Sequence, residues 1–246
     1  MKRGTLISTM GLMAVSLLAA QASPKDDVSN AIKKLAVGSY AFTITTTNAA
    51  GGFGGGGSRG GGGPGRGGLD GKVGKDGIAY AVRSTDRTTN EAVAKGAKRA
   101  FKTQDGWQTQ DEMMNGGRGG GFGGGAMVAM RDLLVPATQA EEVLGKVKEV
   151  KLADGVYSGD LSANDAKAYT APFPGGFGSG GEISDAKASV KYWVKDGVLS
   201  KYELHVQGSM DFGGTVMEID RTTTVDIKDA GKADVTVPAE AAKKVS

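Results

Sequence analysis

Chemistry needs groups that ionise, attack or ligate, and this sequence holds few of them in useful company. His205 is the sole histidine, and there is no cysteine. General acid–base or zinc chemistry requires partners around a histidine. A lone histidine on the polar side of an alternating run reads as a surface residue. Without cysteine there are no disulfides, thiol nucleophiles or thiolate metal sites. Asp211, Glu218 and Asp220 lie close in sequence, yet Glu218 and Asp220 share one side of an alternating run and read as a solvated face. Asp160 and Asp165 bracket a polar stretch that lacks calcium-loop spacing. No nucleophile–base pair assembles, so an enzyme is disfavoured, and neither cofactor nor metal is expected. Arg221 is the exception, a cation among apolar neighbours on its side of a long alternating run. One reading places it at a cavity, meeting a lipid headgroup or carboxylate. The favoured reading is structural, a register break or a buried pair with an acid.

Three tracts hold 26 of the 42 glycines. They span 51–68, 116–125 and 175–181, and contain Arg59-Gly60-Gly61, Arg66-Gly67-Gly68 and Arg118-Gly119-Gly120, with Phe53, Phe122 and Phe177 between glycines. In an intracellular protein such boxes suggest RNA. Export, argued next, points away from nucleic acid, and no tract has the lysine–serine/threonine pair of a phosphate loop. Glycine buries little and loses the most backbone entropy on ordering, so the tracts read as flexible loops inserted into one domain.

Residues 1–22 read as a signal peptide. Lys2 and Arg3 precede an apolar run from Leu6 to Ala19, and Ala20-Gln21-Ala22 forms a small-x-small cleavage site before Ser23. The expectation is a periplasmic or secreted protein of residues 23–246, with no integral membrane span after cleavage. Its net charge of +3 is too small to argue a partner.

Around these groups the elements alternate. Ser23-Pro24, with Asp26 and Asp27 following, predicts a helix start, and Val28, Ile32, Leu35 and Ala36 recur at helical spacing. Tyr40, Phe42, Ile44 and Thr46 alternate as a strand, as do Ile78, Tyr80 and Val82. Residues 91–98 fit a loop or a short helix, and 99–110 two short strands about Asp105-Gly106. A short helix is expected over 127–134, stopped by Pro136, and another opened by Thr138 and Glu141 as a capping box. Asp154-Gly155 predicts a hairpin, and 164–169 a helical turn. Residues 186–228 read as three long antiparallel strands turning first at Asp196-Gly197. Val190, Tyr192 and Val194 share one face, with Lys191, Trp193 and Lys195 opposite. Val235 and Val237 suggest a last strand before a polar tail. Helix, strands, central helices and more strands predict an α+β fold, a strongly curved antiparallel sheet or half-barrel. Its N-terminal helix and central helices cover the concave face.

The run Tyr192-Trp193-Val194-Lys195-Asp196-Gly197-Val198-Leu199-Ser200-Lys201-Tyr202-Glu203, then Thr222-Thr223-Thr224-Val225-Asp226-Ile227 and Val235-Thr236-Val237-Pro238, resembles the strand-turn-strand, long strand and closing strand of the LolA/LppX-like superfamily of exported lipoprotein and lipid carriers. That resemblance implies a half-open barrel enclosing an apolar cavity for acyl chains. The function so implied is a non-enzymatic carrier or binding protein for an apolar small molecule or acyl chains. The lining residues would be Tyr40, Phe42, Ile44, Tyr80, Val82, Met130, Leu133, Leu134, Tyr192, Trp193, Tyr202, Leu204, Met217 and Ile219, with Arg221 at the cavity. The same residues suit a filled core. The alternative from another class is a cell-envelope structural or adhesive protein that meets envelope proteins through its Gly-rich loops.

Overall fold

The computed structural model describes residues 23–49, 68–84, 89–115, 135–170, 182–212 and 214–246. The expected signal peptide, the helix over 127–134 and almost all of the three Gly tracts lie outside them. Eleven strands form one open antiparallel sheet in the order β6-β5-β4-β3-β2-β1-β11-β10-β9-β8-β7. In chain order they are β1 (Tyr40–Asn48), β2 (Leu69–Val73), β3 (Ala79–Ser84), β4 (Thr89–Lys95), β5 (Lys98–Thr103), β6 (Gly106–Thr109), β7 (Lys151–Ala153), β8 (Val156–Asp160), β9 (Glu182–Lys195), β10 (Val198–Phe212) and β11 (Thr215–Lys228). The described helices are α1 (Pro24–Ala36), α2 (Gln110–Asn115), α3 (Pro136–Lys146), α4 (Ala163–Thr170) and α5 (Ala239–Val245). The fold is the expected α+β half-barrel, with α1, α3 and α4 on the concave face.

Local chemistry explains the elements that the sequence announces. Ser23 caps α1: its hydroxyl accepts from Asp26 N at 3.2 Å, and Asp26 reaches back to Ser23 N, the reciprocal box. Helix α1 buries Val28, Ala31, Ile32 and Leu35 on one stripe, whereas Ala36 is exposed. Asp196 and Gly197 have φ of 54° and 71°, and Asp154 and Gly155 have 51° and 77°. Positive φ at both central residues is what a two-residue hairpin with the sheet's own twist requires.

Elsewhere tertiary contact overrides local signal. Residues 91–98 are not a loop or helix but most of β4 and its turn into β5. Ala92, Val93 and Ala94 are all buried, because the sheet is covered on both faces there, which erases alternation. Helix α3 starts at Pro136, not at a Thr138 cap, and its N-cap Val135 makes no side-chain cap bond. Residues 235–237 form no strand, and the expected polar tail folds as α5. The closing-strand part of the resemblance is therefore absent.

Strand β2 escaped sequence reading because Asp70-Gly71 looks like a turn. Here Gly71 pairs with Phe42 in mid-sheet, and the Phe42 ring lies over it. A Cβ at Gly71 would stand 2.2 Å from Phe42 Cζ. Gly71→Ala should therefore destabilise the protein by about 1–3 kcal/mol through overpacking. Gly145→Ala, in α3 with nothing within 4 Å, should stabilise it by about 0.5–1 kcal/mol. Urea unfolding of both variants checks the pair.

Candidate functional site on the concave face

Pairing register decides which side chains meet on the concave face. Tyr40, Phe42 and Ile44 on β1 stand opposite Val73, Gly71 and Leu69 on β2. Across the other side of β1, Phe42 and Ile44 meet Ile227 and Val225 of β11. Val225 then pairs with Tyr202 of β10, and Tyr202 with Tyr192 of β9. The same alternation continues through Leu204, Val206 and Val190. All of these but Gly71 belong to one buried cluster with Val28, Ile32 and Leu35 of α1 and Ala137, Ala140, Val143 and Leu144 of α3.

Of the expected lining residues, Tyr40, Phe42, Ile44, Tyr192, Tyr202 and Leu204 are brought together and buried there. Met217, Ile219 and Arg221 share this face at the far end of β11 and are half-buried. Tyr80, Val82 and Trp193 are not part of it. Ala79 and Ala81 pair with Val73 and Gly71, so alternation turns Tyr80 and Val82 outward. Trp193 also faces outward, where the Lys201 ammonium lies 4.6 Å from its ring centroid. Met130, Leu133 and Leu134 lie outside the described residues. Sequence reading missed the alanines Ala79, Ala81, Ala92 and Ala94, cross-strand neighbours on the concave face. The Ala-x-Ala spacing at 79–81 and 92–94 is the signal that could have found them.

The concave face is apolar, yet it holds α3 through polar atoms. The Tyr40 hydroxyl accepts a bond from Ala137 N at 3.2 Å. It thus supplies the N-terminal cap that Val135 lacks, since the first turn of a helix has N–H groups without intrahelical partners. Tyr192 donates to the Ala140 carbonyl at 3.1 Å, and Tyr202 to Gln139 Oε1 at 2.5 Å. At the other end of α3, Lys25 donates to the Val147 carbonyl at 2.5 Å. Arg221 belongs to the same pattern. Its guanidinium donates to the Tyr169 carbonyl at 2.6 Å, in the last turn of α4. On the solvent side, Lys146 joins α3 to α4 by bonding Glu142 at 2.9 Å and the Tyr169 hydroxyl at 3.1 Å.

The outer face of β9 to β11 carries the titratable groups. His205 Nε2 lies 2.8 Å from Asp220 Oδ1, and Gln207 donates to Asp220 Oδ2 at 3.1 Å. The bond from His205 holds the Asp220 carboxyl below its ordinary range. Glu218 accepts from Ser209, and Asp211 from Gly214 N. The three carboxylates thus have separate partners, and no group of three or more metal-ligating side chains occurs among the described residues. An open depression of about 440 Å³ beside them is lined by Asp185, Lys187, Gln207, Ser209, Glu218 and Asp220, among others. Its polar wall does not suit an apolar ligand. No family model matches the chain, and no curated protein matches it.

All six tyrosines are held above their ordinary value of 10, each chiefly by burial. Tyr80, which also donates to Glu91 at 2.6 Å, is pushed up to about 12. A folded-state value above the unfolded one means that the fold favours the neutral phenol. The contribution to stability is complete below pH 10 and is lost as pH rises beyond it. Phenolate absorbance should therefore appear together with unfolding above pH 10, while the urea midpoint falls over the same range. Tyr40→Phe, which leaves the α3 cap unfilled, should cost about 1 kcal/mol in urea unfolding.

Proposed function

We propose that this protein is an exported, non-enzymatic carrier of an apolar ligand, a lipid or the acyl chains of a lipoprotein, taken up between the concave face and the helices across it. The observation that carries the reading is the make-up of that face. It is apolar throughout its buried part, aromatic at the centre, and floored by four alanines on one wing. The helix over it, α3, is held by three phenol hydrogen bonds and buries two alanines, Ala137 and Ala140, beside Val143 and Leu144. An acyl chain that displaced α3 would take the place of Val143 and Leu144 against the sheet, and the face beneath offers it desolvation with few polar groups to orient it. The likeness of residues 192–203 and 222–227 to the LolA/LppX-like carriers supports the same reading, and the sequence of residues 1–22 supports export to the periplasm or beyond. No described helix is long and apolar enough to cross a membrane.

A second reading, an envelope structural or adhesive protein that works through its Gly-rich tracts, is favoured by the burial of Tyr40, Tyr192 and Tyr202 to within 1 % exposure. Native mass spectrometry of protein purified from its own envelope, followed by organic extraction, separates the two. A stoichiometric co-purifying lipid is expected, and Tyr192→Phe combined with Tyr202→Phe should speed uptake of a fluorescent fatty acid. A clean apo mass with no uptake would overturn the carrier reading in favour of the structural one.

A further inference from the structure

The outer face of the sheet changes character across its width. Over β9 to β11 it presents Lys191, Lys201, Glu203, His205, Gln207 and Asp220, as a solvated face should. Over β3 to β6 an apolar patch lies beside a polar chain in which Tyr80 and Lys102 each donate to Glu91 at 2.6 Å. Ile78, Val93, Ala100 and Trp107 form a second cluster, separate from the main core, which α5 covers with Ala241 and Val245. Two contacts stand at its rim. Lys244 reaches both carboxylate oxygens of Glu112 at 2.6 and 2.9 Å, and Lys98 donates to the Ser246 carbonyl.

Helix α5 is weakly secured. It has seven residues, about half of what an isolated helix needs to be even marginal in water. Pro238 at its N-cap gives no side-chain cap bond, and Ala241 and Val245 are its buried residues. The pair with Glu112 is solvent-exposed, and such pairs contribute little. Residues 229–238 before it contain neither helix nor strand. They are pinned by Gly231 N to the Ser39 carbonyl and by Lys72 to the Asp234 carbonyl, and residues 235–238, whose Val237 packs on the same cluster and must lift with α5, span roughly 13 Å when extended. Elements with few buried contacts open at the low end of a protein's free-energy scale.

Opening uncovers a tryptophan and three aliphatic side chains together, a face that water does not favour. The segment that fits it is one with alanine and valine a helical turn apart and a lysine placed for Glu112, and every copy of the chain carries that segment. Docked in trans, α5 makes the same contacts as in cis, so exchange loses no contact, and the symmetry of two mutual exchanges closes a dimer. We infer that α5 is an exchangeable strap and that the outer face of β3 to β6 is a docking site for the α5 of a second copy.

The chain has no cysteine, so introduced thiols report cleanly. Full-length Glu112→Cys and Lys244→Cys variants, mixed, incubated and treated with a short bismaleimide, should give a dimer linked between positions 112 and 244. Its yield should rise with protein concentration and vanish when Val245→Asp is added to the Lys244→Cys chain. Lys195→Cys in place of Glu112→Cys sets the collision background. The inference is overturned if the mixture gives no more dimer than that background while the double variant Glu112→Cys/Lys244→Cys links within one chain at every concentration.

Discussion

The structure depends on the pairing of β1 with β11. Eight residue pairs, from Ala41 with Lys228 to Asn48 with Arg221, join segments about 180 residues apart in the chain. This seam unites β2 to β6 on one side with β7 to β10 on the other. It also fixes the concave face, since a slip of one residue would turn Tyr40, Phe42 and Ile44 outward and leave Ile227 and Val225 without neighbours. Closing so long a loop before the contact rewards it is slow. The hairpins β9–β10 and β10–β11 need no such closure, which makes them the natural early partners for β1.

Helices laid across an apolar face have ends that water reaches poorly, yet each end carries backbone groups that need partners. The solutions here differ by end. Ser23 and Ser162 cap α1 and α4 from within their own segments, Ser162 accepting from Asp165 N at 3.2 Å. Three other ends are served from a distance, by Tyr40 at the start of α3, Lys25 at its finish, and Arg221 at the finish of α4. Polar atoms on the concave side are thus committed to placing helices. Arg221 in particular is a helix-terminating donor, where the positive group also complements the helix dipole.

The two faces of the sheet divide the labour. The concave face carries the main core and the site argued for an apolar ligand. The patch of the outer face beneath α5 is apolar, so the short helix and the residues beneath it form a separate unit. Helices α3 and α5 lie on opposite faces, and the clusters they pack into share no residue.

Much of the architecture was legible in the sequence. The Ser23 cap with its acidic first turn, the positive-φ Asp-Gly turns and the three long alternating runs from 186 to 228 are local, and local rules are satisfied by neighbours in the chain. The concave apolar set was legible for Tyr40, Phe42, Ile44, Tyr192, Tyr202 and Leu204, because alternation alone assigns faces within a strand. It failed for Tyr80, Val82 and Trp193, since alternation does not say which of two faces a strand turns to the core. Burial on both faces hid β4, the turn-like Asp70-Gly71 pair hid β2, and seven residues are too few to display the period of α5. The sequence by itself determined the strands, the tight turns and the local caps, because those energies lie within a few residues. Only the tertiary structure decided which face is inside, where α3 begins and what Arg221 does, because those choices rest on partners tens to hundreds of residues away.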